Sequence, residues 1–491
     1  MKLLDFLKQY LPFLIALLPI LILRDFAPSD ELRYISIANE AREYNHWFAF
    51  TYQDIPYADV QPLYLWFLSL WKSIFGHHYM WSIGLFSLLP ALGILWVMNR
   101  WVTKFDLASM RLKDGSQSRK LAQYMLCICG FEFLMSVYLR MEMLFSLFIT
   151  LALYNFWKVL YKPLGPNDIH SQTQIQETYH HHNQVLFALY TFLAVFTQGA
   201  TGLYIIFLTT TLYLLTTGNI RLWWRVWNWR VWGILIVLFG GWFYSVYLEA
   251  GQQYLDMMIE RLTLGGTIIA NAHFRPWYYL LLMIWIDTLP FGPVCLAAIF
   301  YTLYKKRKLE TPLQVFFLTM FLVTLIMFSC FPSKLDVYLL PAIPYIIYLG
   351  VMQFKQWRWP VKWHWPIVWI CRIILLCVFI VGLATPWINL YTGSYGELCS
   401  KAKKIHNEQH TEHYYVYKLH KCDGMDAYLQ ENPIQTSAQD IAEGKLKNTL
   451  LLIEEQKIEQ LNKELDKLEA ADSLRGTIVE EVGPYRILRF K

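Results

Sequence analysis

The sequence contains few charged residues for its length. Of its 491 residues, 16% are Asp, Glu, Lys or Arg, whereas a soluble domain has about a quarter. Cysteine is also scarce, with eight residues, which excludes a small disulfide-rich secreted fold. The hydrophobic fraction of 56% excludes a disordered chain. These proportions exclude a soluble globular enzyme too. They indicate a polytopic α-helical membrane protein, in which the net charge of +6 reflects topology rather than nucleic-acid binding.

Long apolar runs recur along the chain, and many are long enough to cross a bilayer as a helix. The first run is followed by no small-residue cleavage site, so we expect a retained anchor. Lys and Arg are concentrated in the loops on the same side as the N-terminus, which predicts that this side is cytoplasmic. The pattern predicts about eleven spans, at residues 8–24, 78–99, 120–139, 141–161, 184–198, 201–216, 229–249, 277–303, 312–331, 337–354 and 365–390.

The composition becomes much more polar near residue 391. We therefore predict a membrane domain at residues 1–390, with a long first outer loop at residues 25–77, and a soluble domain at residues 391–491. An odd number of spans places this second domain on the outer face, which is the periplasmic face in a bacterium.

The last hundred residues carry patterns of both strand and helix. Strands are predicted at residues 413–419 and 448–454 and in the terminal "YRILRF", and a helix at residues 458–471, which indicates a compact α/β domain. Cys399 and Cys422 both lie in this segment. The sequence leaves open whether they form a disulfide.

The first outer loop is rich in polar residues. Ser29 precedes an apolar periodicity and is predicted to cap a helix over residues 30–44 that lies at the membrane surface. A second interfacial helix is predicted after Pro62. Asp30 and Glu31 occupy the first turn of the first helix, where they either complement its dipole or take part in chemistry.

Other charged residues are found at the outer ends of the predicted spans. Arg140 and Glu142 either pair with each other or face a polar cavity, because an unpaired charge there is costly. Arg275 and Lys334 each lie near a tyrosine at a span boundary. Several cations and acids on one membrane face suggest a pocket for a lipid-linked phosphate, in which a carboxylate acts as base.

Six sequence blocks, taken in order, resemble the GT-C glycosyltransferases that use lipid-linked sugars, in particular the aminoarabinose transferases of lipid A and the protein O-mannosyltransferases. The blocks are "SDELRYISIANE", "PYADVQPLYLW", "YLRMEMLFSLFITLALY", "FTQGATGL", "HFRPWYYLL" and "SKLDVYLLPAIP". They extend over residues 29–344. The resemblance implies a GT-C architecture and an inverting transfer of one sugar from a polyprenyl-phosphate donor.

The resemblance also implies roles for individual residues. Asp30 corresponds to the family's general base, and Glu31 and Glu142 are the other candidate catalytic carboxylates. A divalent metal ion (zinc, magnesium or manganese) is associated with positions that match Asp59 and His273. The candidates for binding the donor phosphate are Arg33, Arg140, Arg275, Lys334 and Tyr338.

The chain departs from the family pattern at several positions. The lysine of the second block is Val60 here, the first proline of that block is Gln61, and the lysine of the fourth block is Gln198. The proline of the fourth block is Ala200, and the aspartate of the third is Glu142. Two expected cations are therefore missing, so the substrate cannot be carried over directly.

The sequence therefore predicts a bacterial inner-membrane glycosyltransferase that acts on the periplasmic face. Its partners would be the bilayer, a polyprenyl-phosphate sugar donor and an acceptor of the lipid A or lipopolysaccharide type, with no nucleic acid. Protein O-glycosylation is the alternative acceptor chemistry. A transporter or flippase is a second class, but the chain shows no internal repeat of the kind common in transporters. A third alternative is an inactive relative that only binds lipid-linked sugars.

Overall fold

The computed structural model describes residues 3–27, 30–76, 78, 80–110, 118–164, 174–176, 181–262, 274–305, 309–354, 364–391, 394–419, 422–468 and 476–490. For residues 3–9, 30, 364, 390–391 and 423, it describes the backbone alone.

The part of the chain before residue 392 is built from helices. The first are α1 (Leu3–Leu23), α2 (Asp30–Glu43), α3 (Pro62–Phe75), α4 (Met80–Ile83), α5 (Leu85–Phe105), α6 (Arg119–Cys127), α7 (Gly130–Met135), α8 (Glu142–Leu160) and α9 (His181–Gln198). They are followed by α10 (Thr201–Thr216), α11 (Trp223–Val226), α12 (Trp229–Glu260), α13 (Tyr279–Asp287), α14 (Gly292–Tyr304), α15 (Pro312–Cys330), α16 (Ile343–Gln353), α17 (His364–Leu383) and α18 (Thr385–Tyr391). Between α2 and α3 lies a two-stranded ribbon of β1 (Thr51–Tyr52) and β2 (Ile55–Pro56), and a 3₁₀ helix (Asp336–Ala342) leads into α16.

Several helices of the described part are long and apolar enough to cross a membrane. Six stretches qualify: Met80–Phe105, Glu142–Leu160, Trp229–Glu260, Pro312–Cys330, Asp336–Gln353 and Trp365–Leu383. Shorter apolar helices occur at Tyr10–Leu23, Thr201–Thr216 and Gly292–Tyr304. The prediction of a multi-pass helical membrane protein is confirmed. The count of eleven spans stays a prediction.

Two predicted spans are interrupted by breaks longer than one residue, so the prediction of one continuous helix was wrong for each of them. Residues 120–139 are divided into α6 and α7, and residues 277–303 into α13 and α14. The two breaks contact each other, because the Gly130 N–H donates to the Leu289 carbonyl at 2.7 Å. Pro290 follows Leu289 and has no N–H to continue the ladder of hydrogen bonds. A hydropathy pattern does not register such breaks, because the residues on both sides remain apolar.

The end of the chain forms an α/β unit, which we call the C-terminal unit (Gly396–Phe490). Its elements are α19 (Gly396–Gln409), β3 (Tyr414–Tyr417), α20 (Asp426–Leu429), β4 (Ile434–Thr436), α21 (Ala438–Ala442), β5 (Thr449–Glu454), α22 (Glu455–Lys467), β6 (Thr477–Val482) and β7 (Tyr485–Phe490). The strands form one sheet in the order β4-β3-β5-β7-β6. β3 pairs in parallel with β4 and β5, whereas β7 is antiparallel to β5 and β6. The three predicted strands and the predicted helix are confirmed.

No disulfide joins Cys399 and Cys422 of the C-terminal unit. Cys399 is buried in α19, and burial raises the pKa of its thiol. The Cys422 sulfur accepts a hydrogen bond from the Gln435 side-chain amide at 3.6 Å. The disulfide that the sequence left open is therefore not formed, and both residues serve as packing groups.

Helix α2 confirms the predicted helix at residues 30–44. It also packs against the C-terminal unit. Leu32 and Ile35 are fully buried in a hydrophobic core that also contains Leu398, Met425 and Ile487 of the C-terminal unit. The first loop and the end of the chain therefore share one core. The predicted cap, residue 29, lies outside the described residues.

Candidate functional site

A polar cavity of about 310 Å³ lies where α2, the loop before α3 and the ends of several long helices converge. Its walls combine residues that are far apart in the sequence. The polar side chains that line it are Arg33, Tyr34, Tyr57, Asp59, Gln61, Gln198, Thr201, Tyr204, Arg261, Ser333 and Tyr338. Of the predicted site residues, the structure thus brings Arg33, Asp59 and Tyr338 together.

The turn between α9 and α10 shapes one wall of the cavity. Gly199 has a φ of +81°, in the left-handed region that favours glycine. An ideal Cβ there would lie 3.5 Å from Gln61 Nε2 and from Leu262 Cδ1, which is an ordinary van der Waals distance, so the constraint on this position is its backbone conformation. The tight turn places Gln198 and Thr201 at the cavity. The positive φ of this turn therefore explains why the fourth sequence block has a glycine at position 199.

Two arginines and one aspartate supply the charges of the described cavity wall. Arg261 Nε lies 3.5 Å from Asp59 Oδ1, and both side chains are about half exposed. Arg33 comes from α2, with its guanidinium carbon 5.9 Å from the centre of the Tyr34 ring. Because the charged side chains that line the cavity are two cations and one carboxylate, the cavity is suited to an anionic ligand.

Tyr338 contributes its ring to the cavity from the 3₁₀ helix before α16. Its ring stacks on Phe328, with the centroids 4.8 Å apart and the planes 21° apart. This contact fixes the orientation of the ring. Arg140 and Glu142 are close enough to interact electrostatically with Tyr338.

Arg140 and Glu142 form an ion pair. Arg140 Nη2 lies 2.8 Å from Glu142 Oε1, and Arg140 Nε donates to both carboxylate oxygens at 3.2 and 3.1 Å. Glu142 is 3% exposed. The structure therefore supports pairing, one of the two alternatives from the sequence, and neither residue lines the cavity. Their predicted roles in phosphate binding and catalysis stay predictions.

Glu31 is enclosed by hydrogen-bond donors. Its carboxylate accepts from Arg24 Nη1 and Nη2 at 2.8 and 2.6 Å, and from the backbone N–H groups of Ala27 and Leu139 at 2.6 Å each. Glu31 is 0% exposed and does not line the cavity. These four hydrogen bonds indicate a structural role, and the predicted catalytic role of Glu31 stays a prediction. Glu31 ties α2 to α1 and to the segment before α8.

The structure does not describe the side chains of two predicted site residues, Asp30 and His273. Asp30 is the first residue of α2, but its side chain is outside the described part of the structure. Its role as base stays a prediction. His273 lies outside the described residues altogether.

Arg275 and Lys334 lie at an apolar groove of about 800 Å³ next to the cavity. Lys334 is 4% exposed, and its ammonium donates to the Arg275 carbonyl at 3.0 Å and to the Phe331 carbonyl. The Arg275 guanidinium lies 5.4 Å from the centre of the Tyr279 ring. Apolar side chains form most of the groove wall: Phe274, Trp277, Leu281, Leu325, Ile326 and Phe331.

The segment from Phe331 to Leu335 separates the groove from the cavity. Pro332 and Lys334 face the groove, whereas Ser333 and Leu335 face the cavity. Such alternation is typical of extended backbone, and Ser333 pairs with Phe274 in an isolated β-bridge. A polar space and an apolar space therefore adjoin across a single stretch of chain.

The metal site suggested by the resemblance is not assembled within the described residues. They contain no group of three His, Cys, Asp or Glu side chains close enough to hold a metal ion. Asp59 supplies one carboxylate, and Arg261 contacts it. The second predicted ligand, His273, lies outside the described residues, so the metal site stays a prediction.

The sequence patterns missed Arg261. The apolar run predicts a helix that ends near residue 249. The backbone of α12 is kinked at Gly251 (φ +74°), and a second helical stretch continues from there to Glu260. This extension carries Arg261 from a predicted loop to the cavity wall. Arg261 lies in none of the six sequence blocks, so its charge was the one feature that could have marked it as a site residue.

No protein-family model matches the chain. An uncharacterized protein of Aquifex aeolicus (strain VF5) is 27% identical over 288 residues, which are 58% of this chain and 50% of that protein, so the chain spans about half the length of the curated relative it matches. The chain is similar in structure to ArnT from Cupriavidus metallidurans bound to undecaprenyl phosphate, with a TM-score of 0.70 and 13% identity over 99% of this chain and 98% of ArnT. The apo state of that ArnT gives a TM-score of 0.69 and 13% identity, with 99% and 97% covered. The GT-C fold expected from the sequence blocks is therefore confirmed.

Proposed function

We propose that this protein is a membrane glycosyltransferase that moves one sugar from a polyprenyl-phosphate donor to an acceptor hydroxyl. One observation carries the proposal. A cationic cavity adjoins an apolar groove, in a chain that shares its fold over 99% of its length with an ArnT solved with undecaprenyl phosphate. An amphiphile with a phosphate between a sugar and an isoprenoid tail needs these two environments side by side.

The donor phosphate would bind between Arg33 and Arg261. Guanidinium groups make two parallel hydrogen bonds to phosphate oxygens, and such charge-assisted bonds are stronger than neutral ones. In this binding mode Arg261 exchanges part of its contact with Asp59 for the phosphate. Tyr338, held by its stacking on Phe328, would add a hydroxyl donor.

Arg261 also offers a replacement for the cations that the chain lacks. Val60 stands where the related enzymes have a lysine, and its side chain lines the same cavity as Arg261. Gln198, at the position of the second missing lysine, has a buried Oε1 without a hydrogen-bond partner among the described residues. We propose that the arginine takes over the charge and that the Gln198 amide binds a sugar hydroxyl.

The isoprenoid tail would occupy the apolar groove. Each buried CH₂ group contributes about 0.8 kcal/mol, so a few isoprene units anchor the donor firmly. Arg275 and Lys334 lie at the groove rather than in the cavity. Their backbone contacts, including the Lys334 ammonium bound to two carbonyls, stabilise the segment between tail and headgroup.

The proposed reaction is a single displacement. Asp30 takes the proton from the acceptor O–H as that oxygen attacks the anomeric carbon of the sugar. The bond from this carbon to the phosphate oxygen breaks, and its electron pair leaves with the phosphate. The products are the inverted glycoside and polyprenyl phosphate, whose charge the two arginines stabilise. Positioning supplies much of the remaining rate enhancement.

The proposed acceptor is of the lipid A or lipopolysaccharide type, because the sequence blocks lean toward the aminoarabinose transferases. The distribution of Lys and Arg supports a site on the periplasmic face of a bacterial inner membrane. Hydroxyl groups of proteins are the alternative acceptor, since the same base and donor site would serve them.

A turnover experiment tests the proposal. Lipids from a strain that lacks the gene should contain both the unused donor and the unmodified acceptor. We expect purified protein to convert them to a heavier glycolipid and free polyprenyl phosphate, detected by liquid chromatography and mass spectrometry. A transporter or an inactive relative would leave the covalent structures of all lipids unchanged. A sugar appearing on membrane proteins added to the same mixture would favour the alternative acceptor.

A further inference from the structure

We propose that the C-terminal unit positions the helix that begins with Asp30, and that Tyr428 and Gly424 are its positioning residues. The inference rests on the proposed function, in which Asp30 is the base. It gives the C-terminal unit a task in the chemical step, beyond covering the cavity or guiding acceptors.

Tyr428 contacts the chain just before α2. Its hydroxyl accepts a hydrogen bond from the Phe26 N–H at 3.0 Å, and the two rings pack with their centroids 5.7 Å apart. Phe26 is four residues before Asp30. Tyr428 therefore fixes the point from which the chain enters the helix.

Gly424 contacts the same helix just after Asp30. An ideal Cβ on Gly424 would lie 2.3 Å from Leu32 Cβ and 2.9 Å from the Leu32 carbonyl oxygen. Real Cβ atoms do not approach other atoms so closely, so any larger residue must push the helix and the unit apart. The backbone of the C-terminal unit thus lies directly against α2, two residues beyond the base.

A polar contact holds the next turns of the helix. The Asn39 amide donates to Asp426 Oδ2 at 2.5 Å, and the Lys72 ammonium donates to Asn39 Oδ1 at 2.6 Å. Asn39 is on α2, Lys72 is on α3, and Asp426 begins α20 of the C-terminal unit. These two hydrogen bonds connect α2 both to α3 and to the C-terminal unit.

The start of α2 thus contacts the C-terminal unit. It is also held by the ion pair between Glu31 of α2 and Arg24. The shared hydrophobic core makes the arrangement rigid, because Leu32 and Ile35 are completely buried in it. A displacement of about 1 Å at a catalytic group can cost about a hundredfold in rate. Small changes at Tyr428 should therefore reach the chemical step although this residue is not in the cavity.

The test compares two tyrosine variants of the C-terminal unit. Tyr428→Phe keeps the ring and removes the hydroxyl at α2. The matched control Tyr417→Phe removes a hydroxyl that donates to Glu464 Oε2 at 2.6 Å, away from α2. We expect kcat to fall about 5- to 50-fold in Tyr428→Phe with a smaller change in the donor KM, and to stay within twofold in Tyr417→Phe. Gly424→Ala should lower kcat further.

Thermal unfolding of each variant separates positioning from general loss of stability. If Tyr428→Phe loses no more kcat than Tyr417→Phe at an equal unfolding midpoint, the inference is wrong. Because Gly424→Ala could fail to fold, the inference is judged by comparing the Tyr428→Phe and Tyr417→Phe variants. Asp30→Asn distinguishes this failure from failure of the proposed function: an inactive Asp30→Asn with a fully active Tyr428→Phe overturns the positioning role alone, whereas a fully active Asp30→Asn overturns the base itself.

Discussion

Arg261 and Asp59 face each other in the cavity, with Arg261 Nε 3.5 Å from Asp59 Oδ1. The two residues are 202 positions apart in the sequence. Arg261 lines the same cavity as Val60, which occupies the position of a lysine in the family that the sequence blocks resemble. Both side chains are half exposed, so the pair can open for a ligand at little cost.

The first prediction concerns this arginine. Arg261→Gln should raise the donor KM by about 10- to 100-fold, because a hydrogen bond to a charged group contributes about 1.5–3 kcal/mol. Arg261→Lys should restore part of the affinity. The control is Arg230→Gln, near the start of α12 and outside the residues that line the cavity, which should leave KM unchanged. An unchanged KM in Arg261→Gln would remove Arg261 from the donor site.

The second prediction concerns the buried pair of Arg24 and Glu31. Glu31→Gln should destabilise the protein by about 3–5 kcal/mol, because it leaves the buried guanidinium without its counter-charge. Chemical unfolding in detergent measures the change. Glu459→Gln, which breaks the exposed pair with Lys463, should leave the midpoint unchanged. A Glu31→Gln variant that is as stable as the native protein but inactive would instead support a catalytic role for Glu31.

The third prediction concerns the turn at Gly199. Gly199→Ala should lower the free energy of unfolding by about 1–2 kcal/mol, because its φ of +81° disfavours a side chain. Gly233→Ala is a matched control inside α12, with nothing within 4 Å of its new Cβ. It should be neutral or slightly stabilising. Equal effects in the two variants would contradict this account of the turn.

The fourth prediction concerns acid sensitivity of the C-terminal unit. Hydrogen bonds from Lys418 and Tyr417 lower the pKa of Glu464 to about 2, from an ordinary value of 4.5. Since the folded form has the lower pKa, this stabilisation is fully present above about pH 4.5 and is lost as the pH falls through about 2. Glu464→Gln should lower the protection of β5 amides from hydrogen exchange at pH 7. The protection that remains should change less than in the native chain as the pH falls. Glu408→Gln should behave like the native chain at each pH.

The sequence predicted the parts of the fold that depend on hydropathy and periodicity. The helices α2, α9, α10 and α22 and the strands β3, β5 and β7 all occur near their predicted positions. It did not predict β4 and β6, because both are edge strands with several exposed residues and give a weak alternating pattern. The breaks near Cys129 and Pro290 depend on a contact between distant segments, which no local pattern contains.

The candidate site could be predicted only in part for a related reason. Sequence blocks identified Arg33, Asp59 and Tyr338, which the fold brings to one cavity. They also grouped Arg275 and Lys334 with these residues, although both lie at the adjacent groove. Spacing within a block does not determine which wall a side chain faces.

The central claim is that the protein transfers a sugar from a polyprenyl-phosphate donor and that Asp30 is the general base of this reaction. The most direct measurement is mass spectrometry of lipid A and membrane glycolipids from three strains: native, gene-deleted, and deleted but complemented with Asp30→Asn. We predict that both altered strains accumulate the polyprenyl-phosphate sugar and lose one sugar-sized mass from lipid A or another surface glycan. A native profile in the Asp30→Asn strain, or no accumulated donor in the deleted strain, would contradict the claim.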